Sequence, residues 1–442
     1  RGHCGLGNRT SAGTNALAPA DGCQLIMQTL HVFTGPTISP EEVLAISPRA
    51  RIMGPIAHGD LFDPSIRPGD IVLIVDGLFH HSATIRHKEI IGALDRNVVV
   101  AGAASIGALR AADLEPLGMI GYGKVFTAYR NGTICDDAEV AVVHAPDGDQ
   151  RAQTIPMVNA RAMLASAVAE RMLAREDLET ALTAIRDVYY AERTVGHTLH
   201  MLATAGFDEL ADWLGRRLDD DPDFGDIKKR DAMAALLACN SAGVAAPPAQ
   251  RGWITSFYRD WHNYFASDPT DSSIRYLDRV RYQQIFHPRF PQVWRKFLEY
   301  SSLEPSDGTV GVTLEQRLQQ LGASALDPAV VFSPRFDVAN PAHRAVLLGE
   351  ETEHHRATAI AYREAHASFT AEHAGVDPRA LHRSVGRSVL SALWEVPAGS
   401  LTTEYARRGL RSEQDAVEAL ALFIVGYLRD IAAERSKVGL RA

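Results

Sequence analysis

Two short, continuously apolar runs limit most strongly how this chain of 442 residues can fold. Residues 71–75 and 98–101 lack the alternation of apolar and polar side chains that marks a strand with one face in water. Such runs are typical of strands that are covered on both faces in a parallel sheet. Residues 87–95, which lie between them, carry apolar side chains at helical spacing. The order strand, helix, strand predicts an α/β fold.

Two further β-like runs, residues 30–33 and 140–143, extend this pattern to an open, mostly parallel sheet flanked by helices, a Rossmann-like arrangement. From Pro156 onward the apolar residues recur at helical spacing, which predicts helices. We expect the chain to divide into a flexible or recombinant amino end at 1–29, an α/β core at 30–155, a helical part at 156–242, a linker at 243–252 and an all-helical second domain at 253–442.

The composition argues against several classes of function. The chain has 45 basic and 54 acidic side chains and a net charge of −9, whereas a general nucleic-acid binder needs a concentrated basic surface. No uncharged apolar run reaches the roughly 20 residues that cross a bilayer, so we expect no membrane span. The four cysteines are scattered without a Cys-x-x-Cys pair, which argues against a zinc ribbon or a disulfide framework. We expect a cytoplasmic protein.

Polar or turn-forming residues follow each of the four β-like runs. In an open parallel sheet, ligands bind in the crevice at the carboxyl ends of the strands. We therefore expect one crevice to receive all of these residues, which are, in chain order, Gly35, Pro36 and Thr37, then Asp76 and Gly77, then Ser105, and finally His144.

Ser105 is the candidate nucleophile. It follows a β-like run and a turn of small residues, and it precedes a helix, so the segment approaches the Gly-x-Ser-x-Gly elbow of hydrolases, with Ala103 and Gly107 in the glycine positions. In such an elbow the N–H groups at the helix start, here those of Ile106 and Gly107, stabilise an oxyanion. The alternative is that Ser105 only caps the helix.

His144 is the candidate general base, because an imidazole titrates near neutral pH. Asp76 is the residue expected to orient that imidazole or to bind a ligand hydroxyl. The alternatives are a hydrogen-bonded histidine at a strand end and, for Asp76 with Gly77, a simple turn signal.

A second cluster contains His80, His81, His87 and Glu89, which can supply another base or metal ligands. The His-Glu-x-x-His order of zinc enzymes is absent, and polar residues that cap the following helix are the alternative interpretation. We expect neither a metal nor another cofactor.

Residues 118–125 imitate a phosphate-binding loop, but Val125 stands where the Ser or Thr that binds magnesium is required. We therefore reject nucleotide hydrolysis at this segment. No Gly-x-Gly-x-x-Gly follows the first β-like run either, which weakens a third interpretation of the crevice as a dinucleotide site.

Five blocks in register resemble the core of TfuA-like proteins, and the resemblance covers residues 30 to 242. The blocks are Val-Phe-Thr-Gly-Pro-Thr at 32–37, Asp-Gly-Leu-Phe-His at 76–80, His-Lys-Glu-Ile at 87–90, Gly-Ala-Ala-Ser-Ile-Gly-Ala-Leu-Arg-Ala-Ala-Asp-Leu at 102–114, and residues 136–144. Further matches are Asn-Ala-Arg at 159–161 and Lys-Lys-Arg-Asp at 228–231.

The resemblance implies a partner of YcaO-type enzymes, which use ATP to activate peptide backbone amides. TfuA-like proteins accompany the YcaO enzymes that install thioamides, and the resemblance implies that they supply sulfur from the thiocarboxylate end of a small ThiS-like carrier.

The residues and the resemblance agree on an acyl transfer in which hydrosulfide leaves. Ser105 is then the nucleophile or positions water, His144 or His80 is the base, Asp76 orients, and Arg110 or Lys88 anchors the anionic tail of the carrier. Gly35, Pro36, Thr37, Gly77, His87 and Glu89 complete the expected substrate-binding set. The alternative function is a non-catalytic adaptor that holds the carrier and the YcaO enzyme together, and the oligomeric state is left open.

Overall fold

The computed structural model describes residues 28–78, 83–143, 152–241, 254–305, 309–373 and 381–439. The first part of the chain forms a five-stranded sheet in which every pair of neighbours is parallel. The strands are β1 Leu30–Phe33, β2 Arg51–Met53, β3 Ile71–Ile74, β4 Val99–Ala103 and β5 Ile120–Tyr122. Their order across the sheet is β2-β1-β3-β4-β5. The α/β expectation is therefore confirmed.

Helices cover both faces of the sheet, which explains why its central strands are apolar throughout. Val72 and Ile74 of β3 pack in one core with three helices, whereas Ile71 and Leu73 pack in a second core on the other face. The helices of the first face are α2 His87–Asp95, α3 Ile106–Leu114 and α4 Gly123–Arg130. Those of the second face are α1 Pro40–Ile46 and α9 Ile227–Asn240.

The structure confirms β1 and α2 to the residue, but the fourth expected strand is wrong. Residues 140–143 follow a 3-10 turn and form no strand. The edge position in the sheet is taken by β5, whose register pairs Gly102 with Gly121. Val140 is instead buried between elements, and its carbonyl oxygen accepts a hydrogen bond from the Lys228 side chain.

Four helices between the sheet and α9 form a separate apolar core. They are α5 Met157–Ala169, α6 Leu178–Arg186, α7 Val195–Thr204 and α8 Asp208–Asp220. Asn159 of α5 joins this bundle to α9, because its side-chain oxygen accepts a hydrogen bond from the Ile227 backbone N–H and its amide donates to Asp226.

The remainder, called the helical region, is mostly helical in its described residues, but a two-stranded antiparallel ribbon there corrects the expectation of an all-helical second domain. The ribbon pairs β6 Ser267–Asp268 with β7 Asp271–Arg275. Its turn is stabilised by Asp268, which accepts hydrogen bonds from the Thr270 backbone and hydroxyl.

The helices of this region pack in three apolar clusters. They are α10 Ser256–Phe265, α11 Tyr276–Phe286, α12 Phe290–Leu303, α13 Leu314–Gln320, α14 Pro328–Val331, α15 Pro341–Leu347, α16 Glu353–Glu372, α17 Arg383–Leu393, α18 Leu401–Arg407, α19 Glu413–Ala421 and α20 Ile424–Gly439.

Residues 1–27 of the expected amino end lie outside the described residues. The expected linker at 243–252 lies outside them as well. Among the helices that are described, none has the length and apolar character needed to pass through a bilayer.

Candidate active site at the carboxyl edge of the sheet

The carboxyl ends of β1 and β3 meet at the point where the connections leave for opposite faces of the sheet. α1 follows β1 on one face and α2 follows β3 on the other. Such a switch point is the usual place for a ligand in an open α/β sheet. The turn at residues 35–37 and the residues after β3 lie at this point, as the sequence predicts.

Asp76 joins the two strand ends and is buried. Its Oδ2 accepts hydrogen bonds from the backbone N–H groups of Gly35 and Thr37, both at 3.0 Å. Its Oδ1 accepts a third hydrogen bond from the Thr37 hydroxyl at 2.6 Å. The carboxylate therefore holds the turn after β1 in place.

Ser105 begins α3 directly after a tight turn. The Ser105 N–H donates to the Ala103 carbonyl oxygen at 2.7 Å, and Ala104 between them has φ +66°. A positive φ is unfavourable for a residue with a side chain, and strained backbone of this kind clusters at functional sites. Ser105 occupies the N-cap position, yet its side chain makes no capping hydrogen bond. Helix capping therefore does not account for its hydroxyl.

The start of α3 packs closely against the end of β3. A Cβ on Gly77 would lie 2.7 Å from Cγ2 of Ile106, so Gly77 and the residue after Ser105 are neighbours. The Gly107 N–H donates to the carbonyl oxygen of Val75 at 3.3 Å. Of the two N–H groups predicted to stabilise an oxyanion, that of Gly107 thus has a partner within the fold, and that of Ile106 stays the candidate.

Lys228 is a buried amine that reasoning from the sequence missed as a site residue. Only 3% of its surface is exposed, and its Nζ donates to the carbonyl oxygen of Val140 at 2.9 Å. Burial lowers the pKa of this amine, while the negative charges of Asp76 and Asp226 oppose that shift. The buried Lys228 amine therefore lies within electrostatic range of Asp76.

A signal for this burial is present in the sequence. Ala232, Ala235 and Leu236 follow Lys228 at helical spacing and pack against the sheet. Because Lys228 shares a helix face with these apolar residues, the pattern predicts that its side chain lies on the buried face of α9.

The structure places Glu89 in a different setting from Asp76. It is buried on α2, where its Oε1 accepts hydrogen bonds from the N–H groups of Gly59 (2.9 Å) and Leu61 (3.1 Å), and its Oε2 lies 2.7 Å from Nδ1 of His58. Burial raises the pKa of this carboxyl. Glu89 therefore organises a loop rather than facing Asp76.

The predicted anchors Arg110 and Lys88, together with His87 of the predicted substrate-binding set, lie on α3 and α2. His87 Nε2 lies 2.9 Å from Asp113 Oδ2, and Arg110 pairs with the same oxygen at 3.3 Å. Lys88 donates to the Thr255 hydroxyl at 3.4 Å. Their part in substrate binding stays a prediction, and His80, His81 and His144 lie outside the described residues.

The segment that imitates a phosphate-binding loop is filled by a carboxylate of the chain itself. Asp231 accepts a hydrogen bond from the Val125 N–H at 2.8 Å and another from Lys124, at the start of α4. The N–H groups that would bind a phosphate are therefore occupied. Within the described ranges, no three His, Cys, Asp or Glu residues are grouped in a way that could hold a metal ion.

Comparison with known proteins adds one positive finding. Residues 76–194 match the family model of TfuA-like proteins, and this stretch includes Asp76, Gly77 and Ser105. No curated protein matches the chain. The match suggests a role associated with thioamide formation. Residues 76–194, which begin at the carboxyl end of β3, are therefore similar to the TfuA-like family.

Proposed function

We propose that this protein supplies sulfur to a YcaO-type enzyme during backbone thioamidation, by hydrolysing the thiocarboxylated C-terminus of a ThiS-like carrier. The observation that carries the proposal is the setting of Ser105. This residue follows a strained turn at the carboxyl end of β4, its side chain does not cap the helix, and it lies within the TfuA-like match. A hydroxyl in that position has the setting of a hydrolase nucleophile.

In the first step the Ser105 oxygen attacks the carbonyl carbon of the thiocarboxylate, and the hydroxyl proton passes to a base. The resulting oxyanion is stabilised by the Ile106 N–H at the start of α3. The carbon–sulfur bond then breaks, and the base returns the proton to the departing sulfur. Hydrosulfide is released, and the carrier stays bound to Ser105 as an ester. Water hydrolyses this ester, which restores the serine and leaves a carboxylate on the carrier.

Lys228 is the candidate base among the described residues. Burial lowers the pKa of its amine, which favours the neutral form that accepts a proton. Asp76 holds the turn at residues 35–37 and places a negative charge near the ammonium ion that forms. His144 and His80 remain alternative bases, and the residues predicted to bind the carrier keep that proposed role.

The test mixes the purified full chain with a thiocarboxylated ThiS-like carrier and measures free sulfide. Ser105→Ala and Lys228→Met are the main variants, with His144→Ala and His80→Ala beside them. Ser166→Ala is the matched control, because the Ser166 hydroxyl donates within α5 to Ala162. A loss of about 50-fold for Ser105→Ala corresponds to about 2.3 kcal/mol of transition-state stabilisation.

The proposal is overturned if sulfide appears equally fast without the protein, or if Ser105→Ala retains the wild-type rate. If Lys228→Met retains that rate while His144→Ala or His80→Ala loses it, the base is that histidine instead.

A non-catalytic adaptor is the second candidate, and the burial of Ser105, which is 3% exposed, favours it. An adaptor would bind the carrier and the YcaO enzyme together without releasing sulfide. Size-exclusion chromatography of the three proteins, run beside the sulfide assay, separates the two functions.

We also propose a cytoplasmic location and the division of the chain into the α/β core with its helices and a second, helical unit. The apolar clusters support this division, because those of the sheet and those of the helical region draw their buried members from separate parts of the chain.

A further inference from the structure

Residues 54–62, called the connecting segment, lie between the proposed active site and α10 of the helical region. On the site side, the Ile56 N–H donates to the Asp76 carbonyl oxygen at 2.9 Å, and the Leu78 N–H donates to the Ile56 carbonyl oxygen at 3.1 Å. A Cβ on Gly77 would lie 3.0 Å from that same Ile56 oxygen. The main chain on both sides of Gly77 is therefore fixed by this segment.

On the other side, the connecting segment packs against aromatic rings of α10. The His58 ring lies edge-on between Trp261 (4.8 Å) and Phe265 (5.1 Å). The Phe62 ring is stacked on Phe265, with the centroids 5.7 Å apart and the planes 6° apart. Gly59 has φ +110°, and the Phe265 ring fills the space that a Cβ would occupy. Phe265 therefore contacts three residues of the segment.

The segment is held rigidly between these two contacts. Glu89 accepts hydrogen bonds from the Gly59 and Leu61 N–H groups and lies 2.7 Å from the His58 ring nitrogen. Ile56 is fully buried in the apolar core. A displacement at α10 is thus passed to the backbone at Asp76 instead of being absorbed by a free loop.

We propose that Phe265 and His58 are positioning residues, through which the helical region sets the geometry of the active site at Asp76 and Gly77. Phe265 lies outside the stretch that matches the TfuA-like family. The kinetic part of this inference rests on the proposed function, whereas its structural part does not.

The experiment uses the full chain with Phe265→Leu and Phe265→Ala, and with Phe257→Ala as the matched control. Phe257 lies on the same helix and is 64% exposed. Hydrogen exchange, read on peptides that cover residues 54–62 and 76–78, reports on the Ile56 and Leu78 amides. We expect exchange there to become about tenfold faster in Phe265→Ala, less in Phe265→Leu and unchanged in Phe257→Ala, with strand β4 unaffected.

The second readout is kcat for sulfide release per folded molecule, with the folded fraction measured by circular dichroism. We expect kcat to fall about tenfold in Phe265→Ala with KM unchanged, since a tenfold loss corresponds to about 1.4 kcal/mol in the transition state only. Unchanged exchange at the two amides, or faster exchange with kcat per folded molecule unchanged, overturns the inference.

Failure of the proposed function can be distinguished from failure of this inference. If the wild-type protein releases no sulfide, the proposed hydrolysis fails, while the exchange experiment still decides whether α10 fixes the backbone at Asp76. Phe265→Leu covers the case in which Phe265→Ala unfolds the chain, because it keeps most of the apolar contact.

Discussion

The α/β part and the helical region stabilise their buried carboxylates in different ways. Around the sheet, Asp76, Glu89 and Asp231 accept hydrogen bonds from backbone N–H groups of loops and of one helix start. Glu139, which pairs with Arg161 of α5, is an exception in this part. In the helical region, largely buried carboxylates pair instead with arginines: Glu351 with Arg279, Glu404 with Arg408, and Asp278 with Arg275.

The difference follows from where each kind of element leaves N–H groups without partners. Turns after parallel strands leave several unpaired donors, and a carboxylate can collect them. Helices satisfy nearly all of their own donors, so a buried carboxylate between helices needs a cationic side chain. The carboxylates of the sheet therefore shape loops at the proposed active site. Those of the helical region bind arginine side chains, at the end of their own helix for Asp278 and Glu404 and across the fold for Glu351.

The largest effect is expected at Asp76. Asp76→Ala leaves the N–H groups of Gly35 and Thr37 and the Thr37 hydroxyl without their acceptor. Because each orphaned buried donor costs about 1–3 kcal/mol, we expect unfolding to become easier by about 3–5 kcal/mol, measured by urea denaturation. Asp113→Ala is the control, since its exposed ion pairs contribute about 0–1 kcal/mol. Equal losses in the two variants would contradict this account.

Arg279 and Glu351 provide the opposite case, because their partners are side chains. Glu351→Leu alone removes the nearest carboxylate from the buried Arg279 guanidinium and leaves it only Asp268 at 4.0 Å, so we expect a cost of about 3 kcal/mol. The double variant Arg279→Met with Glu351→Leu should return to within about 1 kcal/mol of the wild type, because well-packed apolar residues often replace a buried ion pair. Midpoints of urea denaturation test this, and a double variant as unstable as the single one would break the comparison.

Most of the α/β architecture could be predicted because burial on both faces appears in the sequence as continuous apolar residues. The runs at β3 and β4 are of this kind, whereas β1 includes His31. The two outer strands were not predicted, since β2 and β5 have three residues each and include Arg51 and Gly121. Residues 140–143 look like a strand because they are buried, but their partners are Lys228 and the Thr154 hydroxyl rather than a neighbouring strand.

The candidate site could be predicted only for residues that the sheet itself brings together. Gly35, Thr37, Asp76 and Ser105 were expected at one edge because the carboxyl ends of parallel strands share that edge. Lys228 comes from a helix more than a hundred residues later in the chain, and its burial depends on how α9 lies on the sheet. The same is true of Glu89, whose partner His58 lies on a loop without an obvious motif.

The two parts should respond to mild acid in opposite directions. Burial lowers the pKa of four histidines in the helical region, so the stability that their neutral rings contribute is lost as the pH falls below about 6.5 and through their folded pKa values; they are His262, His287, His343 and His355. Burial raises the pKa of three carboxyls beside the sheet, so protonation as the pH falls from neutral favours the folded state; they are Asp60, Glu89 and Asp231.

Hydrogen exchange between pH 7.5 and 5.5, corrected for the intrinsic rate, measures both responses in one sample. We expect protection to decrease around α11, α15 and α16 and to hold or increase around α2 and α4. His287→Gln should reduce the loss in the helical region. A decrease of the same size in both parts would show that the partners of the buried groups do not set the response.

The smallest effect is expected at Asp231, where one oxygen can be kept. Asp231→Asn retains an acceptor for the Val125 N–H but loses the charge at the start of α4, so we expect a loss of about 1 kcal/mol. Asp231→Ala removes the acceptor and opens the N–H groups of Lys124 and Val125 to solvent. Inorganic phosphate should then raise the melting temperature of Asp231→Ala but not that of Asp231→Asn or the wild type, because only the alanine variant leaves the helix start vacant. If phosphate stabilises all three proteins equally, the carboxylate does not fill an anion position, and the contrast between the two parts fails at this point.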